Sequence, residues 1–110
     1  MAGNREALAQ LIAEAAAEYR RTLPGKLAEI EALWLEATQG ALSGERYAEL
    51  RRLIHTLAGS AKTFGLPAVS EAARALELAI SPGDCPGSPE VRVAQARGLF
   101  DALKQSAAGR

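Results

Sequence analysis

Apolar residues recur three and four positions apart along nearly the whole chain, the spacing that gathers them on one face of an α-helix. Leu8, Leu11, Ile12, Ala15 and Tyr19 open the series, after Asn4 as a plausible N-cap with Arg5 and Glu6 in the first turn. Leu23, Leu27, Ile30, Leu33, Trp34 and Ala37 continue it in phase, so both segments are expected to face one core. Pro24-Gly25 falls between them. Inside a helix proline costs about 3 kcal/mol, but it is well placed in a first turn. Two readings stay open: one helix ending near Leu23 with another starting there, or a single long helix kinked at Pro24.

Gln39 to Gly44 holds two glycines and a serine and reads as a short connection. Ser43 can cap the next helix, although Arg46 stands where a capping box would place Glu. That helix, about 44–64, carries the stripe Leu50, Leu53, Ile54, Leu57, Ala61 and Phe64, and Gly65 suits a left-handed C′ cap. Leu66-Pro67 then opens a helix lined by Val69, Ala72, Ala73, Leu76 and Ile80. Ser81 to Pro89, with three prolines and two glycines, is a loop that contains the single cysteine, Cys85. Ser88, Pro89 and Glu90 announce a last helix lined by Val93, Ala96, Phe100 and Leu103. The pattern predicts an all-α fold in one domain, residues 1–110. It is an antiparallel four-helix bundle with an additional short or kinked N-terminal helix.

Composition narrows the function classes. The chain is 48% hydrophobic but only 5% aromatic, which suits packed helices better than a β-sandwich. Zero formal net charge offers no basic field for nucleic acid or an anionic membrane. The longest stretch free of Asp, Glu, Lys and Arg, Leu53 to Ala61, is far short of the ~20 residues of a membrane span. One cysteine excludes an internal disulfide framework and a cysteine metal cluster, and fits a reducing cytoplasm. A cytoplasmic protein is expected.

The chemistry gathers at His55, the only histidine. On a helical wheel it points away from the apolar stripe, with Ala48, Arg51, Arg52, Ala58, Gly59 and Lys62 within about 60° of it. There is no phosphate-cradling glycine loop, no HExxH, no GxSxG and no metal-ligand cluster. A lone imidazole on a solvent face can instead carry a phosphoryl group, because its neutral form is nucleophilic near pH 7. That role needs an exposed nitrogen, small neighbours that let a bulky partner descend, and cations to offset charge on the phosphoryl oxygens. Gly59 meets the second need. It faces outward one turn from His55, where no core packing offsets the ~1 kcal/mol that a mid-helix glycine costs. Arg51, Arg52 and Lys62 meet the third. Tyr19 and Trp34 read as core, Ser60 and Thr63 as local hydrogen bonders at the edge of the site, and Cys85 as incidental.

The run His55-Thr56-Leu57-Ala58-Gly59-Ser60-Ala61-Lys62-Thr63-Phe64-Gly65 resembles the signature of histidine-containing phosphotransfer (HPt) domains of bacterial multistep phosphorelays. That signature is His, two residues, Lys, Gly, then Ser or Ala, with another Gly about ten residues after the His. Ala72-Ala73-Arg74-Ala75-Leu76-Glu77 resembles the family's next helix. The resemblance implies that His55 is the phosphoacceptor and Gly59 the clearance position. It makes Ala58, Gly59 and Ser60 the access and docking positions, with Ser60 and Gly65 supporting the hairpin. It also implies docking on response-regulator receiver domains downstream of a hybrid sensor kinase. No cofactor or metal is expected in the chain itself, with Mg²⁺ only in the partner receiver, and no ATP site, so the chain is a carrier and not a kinase. A monomer is expected. The departure is Ala58, where the family usually has lysine. Lys62, one turn further on, or Arg51, one turn before His55, is left to supply that charge.

Two other classes compete. A bundle of this shape can bind a receiver or a kinase without turnover, and the loss of lysine at Ala58 favours that adaptor. A sensor-kinase dimerisation segment normally has an acidic residue directly after its histidine, and Thr56 argues against it.

Overall fold

Pro24 does not break the first helix. The computed structural model describes residues 2–40, 42–81 and 88–108, and it shows α1 running unbroken from Ala2 to Thr38. Asn4 therefore lies inside α1 and is not its cap. Helices α2 (Gly44–Thr63), α3 (Pro67–Ile80), α4 (Pro89–Gln95) and α5 (Arg97–Ala107) follow, with no strand among the described residues. A helix of this length extends about 55 Å, and it sets the longest dimension of the molecule, 57 Å. Leu23, Ile30, Leu33, Trp34 and Ala37 are buried on both sides of the proline, and that packing holds the helix together across it.

The two ends of α1 differ from expectation. The apolar stripe keeps its phase, but Leu8, Leu11 and Ile12 are each about 60% exposed and do not join the core. The core stops level with Tyr19. Its ring stacks on Phe64 at 4.8 Å, where α2 ends, so among the described residues the preceding turns of α1 have no helix beside them. The single C-terminal helix expected from Ser88 is two helices. Ala96, at φ −94° and ψ 7°, ends α4 and starts α5 without shifting the stripe, so Val93, Ala96, Phe100 and Leu103 are all buried. The extra helix of this fold thus lies at the C-terminal side and not before the bundle. Residues 82–87, including Cys85, lie outside the described residues.

The α2–α3 hairpin is closely specified. Ser43 Oγ accepts from the Arg46 N–H and caps α2. Arg46, free of any capping-box role, donates to both carboxylate oxygens of Glu36 and ties α2 to α1. At the other end Gly65 adopts φ +79°, and Leu66 N–H and Gly65 N–H donate to the Ala61 and Lys62 carbonyls. These two bonds form a Schellman cap, which needs a residue tolerant of the left-handed region. Two further bonds pin α3 to α2. Ser70 Oγ donates to the Ala58 carbonyl at 2.6 Å and Tyr47 Oη to the Ile80 carbonyl at 2.5 Å.

Burial pushes the Tyr47 phenol above its ordinary value of 10.0. The folded state therefore holds this proton more tightly than the unfolded chain. Its stabilisation is complete below pH 10.0 and is lost as pH rises through the raised folded value. Tyr47→Phe leaves the last carbonyl of α3 without its donor. The expected loss is about 1–2 kcal/mol in denaturant unfolding, together with loss of the alkaline sensitivity. An unchanged midpoint would show that water replaces the bond.

Candidate functional site

α2 and α3 run antiparallel, and their seam positions the imidazole. The stripe Leu50, Ile54, Leu57 and Ala61 is buried against the core, so His55, next to Ile54, is turned outward with its side chain 71% exposed. From α3, Glu77 reaches across the seam, and its Oε2 lies 2.8 Å from His55 Nδ1. An ionised carboxylate can only accept, so Nδ1 carries the proton in this pair and Nε2 keeps its lone pair. Nε2 has no protein partner among the described residues. The two side chains line an open groove of about 290 Å³ with Ala48, Arg51 and Arg52. Among the described residues no three His, Cys, Asp or Glu side chains come together as metal ligands.

Nothing in local spacing marks Glu77, but counting back through the Gly65–Leu66 turn puts it opposite His55. Its contribution is testable on its own. Glu77→Ala removes the acceptor that selects the tautomer, so ¹⁵N NMR of the neutral ring is expected to change from Nδ1–H to a mixture of both forms. A ring that stays Nδ1–H in the variant would contradict this assignment.

The cations divide between two grooves. Arg52 is held by Glu49, with contacts of 3.0 and 2.6 Å, and that hydrogen bond holds the Glu49 carboxyl below its usual range. Arg51 lies on the α3 side of α2, and its Nε is buried without a hydrogen-bond partner. Lys62 does not line the His55 groove. It borders a second hollow, of about 170 Å³, with Pro67, Ser70, Glu71 and Arg74.

Of the three access positions only Gly59 is open. A Cβ built there meets nothing within 4 Å. Ala58, expected on the solvent face, is 2% exposed, because α3 packs over that edge of α2 and Ser70 bonds its carbonyl. Ser60 turns the other way, and its Oγ meets Tyr19 Oη at 2.6 Å, linking α2 to α1.

An exposed, singly tethered histidine on a helical hairpin bundle is an arrangement that several families could share. Comparison with family models decides the matter: the one described as Hpt domain matches residues 6–108. The chain belongs to the Hpt domain family. Hpt domains are phosphocarrier modules of phosphorelays, not kinases, and they interact with receiver domains and histidine kinases in two-component systems. The match runs from the exposed part of α1 to the end of α5, so it covers the hairpin and the bundle together. Comparison with curated proteins and with solved structures finds no match. Among the described residues no helix of this Hpt domain is long and apolar enough to cross a membrane.

Proposed function

We propose that this Hpt domain relays a phosphoryl group between receiver-domain aspartates through Nε2 of His55. The observation that carries the reading is the Glu77–His55 Nδ1 bond, which leaves a nucleophilic nitrogen free on an exposed ring. In the forward step the Nε2 lone pair forms the P–N bond as the P–O bond to the donor aspartate breaks. The bonding electrons leave with the carboxylate oxygen. The second transfer reverses these events on another aspartate.

Glu77 holds the Nδ1 proton and stabilises the positive charge that the ring gains on attack. Arg51 and Arg52 border the groove of the histidine, where positive charge favours the spread charge of the transferring group. Gly59 is the clearance over which the receiver settles. Mg²⁺ belongs to the acidic pocket of that receiver, and this chain needs no cofactor and uses no ATP. A hybrid sensor kinase supplies the first phosphoryl group, and the domain works in the cytoplasm as a monomer.

One experiment tests the reading without choosing a partner. Incubated with phosphoramidate, the protein is expected to gain one phosphoryl group that is lost in acid and kept in alkali, with His55 as the modified residue. Stable binding to receivers without any such modification would instead favour an adaptor, the role suggested by Ala58 in place of lysine.

A further inference from the structure

We infer that Arg51 is the phosphoryl-binding cation of this domain, taking over from the helix position now filled by Ala58. The inference rests on the carrier reading above and goes beyond it by selecting one side chain. Ala58 lies beneath α3 at 2% exposure, with its carbonyl bonded to Ser70, so a charge at that position would be directed into the seam. Three cations surround the histidine, and two are otherwise placed. Arg52 is paired with Glu49, and Lys62 borders the hollow next to Arg74 and Glu71.

Arg51 is different. It shares the groove of His55 and Glu77, and its Nε is the atom there that is buried without a partner. Among the described residues Arg51 has no carboxylate or carbonyl partner, so its guanidinium is uncommitted, and a phosphoryl oxygen is an acceptor suited to its outer N–H groups. Arg51 precedes His55 by one turn on the same face, within reach of a group on the ring. Helical side chains lean toward the N-terminus, so the imidazole tilts toward Arg51 and away from position 58. The charge thus meets the phosphoryl oxygens from the α4 end of the hairpin, while the Gly59 side stays open to the receiver. As Nε2 bonds to phosphorus, Arg51 forms charge-assisted hydrogen bonds to the equatorial oxygens and transfers no proton.

The test compares Arg51→Ala, Arg51→Lys and Lys62→Ala, each checked by circular dichroism for unchanged helix content. Phosphorylation by phosphoramidate and by a phosphorylated receiver is measured, with the ³¹P resonance of the phosphohistidine as an independent readout. Arg51→Ala is expected to slow acceptance from both donors at least 10-fold and to move the ³¹P resonance. Arg51→Lys is expected to recover part of the rate, and Lys62→Ala to stay within 2-fold of wild type. Wild-type rates and an unmoved resonance in Arg51→Ala would overturn this inference while leaving the carrier reading intact. A wild-type protein that accepts no phosphoryl group from either donor would overturn both.

Discussion

His55→Gln is expected to reduce phosphoryl acceptance to background while leaving the fold unchanged. The chain has no second histidine, so no other imidazole can take over the P–N bond. The position makes the variant benign for folding, because the side chain is 71% exposed and its one bond goes to Glu77. A glutamine amide can still donate to that carboxylate, and exposed substitutions of this kind change stability by no more than about 0.5 kcal/mol. Circular dichroism and the unfolding midpoint should therefore match wild type while ³²P incorporation disappears. Residual acid-labile label at wild-type levels would place the acceptor elsewhere and remove the basis of the account.

The second large effect separates stability from docking at a single residue. Gly59 costs α2 about 1 kcal/mol relative to alanine, and a Cβ there touches nothing within 4 Å. Gly59→Ala is thus expected to raise stability by about that amount. Gly59→Glu is also expected to be as stable as wild type or slightly more so. Its carboxylate, however, projects beside His55 into the path of a partner whose own pocket is acidic. Bulk and like charge together should lower receiver-dependent transfer roughly 100-fold, equivalent to about 3 kcal/mol. Phosphoramidate, being small, should still phosphorylate the variant. Undiminished transfer from a receiver to Gly59→Glu would sink the clearance argument, and a destabilised Gly59→Ala would show that the glycine has a structural reason instead.

The α2 helix was readable to within a residue from its stripe, its serine cap and Gly65. Each of these signals is local, and the Ser43 bond and the Schellman cap reproduce them. The misreadings share a cause: a helical pattern fixes a phase but not what lies against it. Leu8, Leu11 and Ile12 have the right phase for a core that has already ended at Tyr19. Ala58 and Gly59 both sit near His55 on the wheel, about 60° to one side and about 40° to the other. Packing of α3 on the first side buries Ala58 and leaves Gly59 open, and the wheel alone cannot tell which side a neighbour will cover. The division at Ala96 is similarly silent, because the apolar positions keep their spacing through it. Glu77 is a long-range partner whose place becomes legible only once the hairpin turn has been fixed. Arg51, Arg52 and Lys62 are alike by residue type, and only the contacts of each separate them.

The most direct test of the central claim follows one phosphoryl group through two transfers. A ³²P-labelled receiver is mixed with the domain, excess donor is removed, and a second, unlabelled receiver is added. Acid-labile, alkali-stable label is expected on the domain, then on the second receiver as aspartyl phosphate, and neither step is expected with His55→Gln. Label that reaches the second receiver equally well with His55→Gln, or wild-type protein that binds both receivers and never becomes labelled, would contradict that claim.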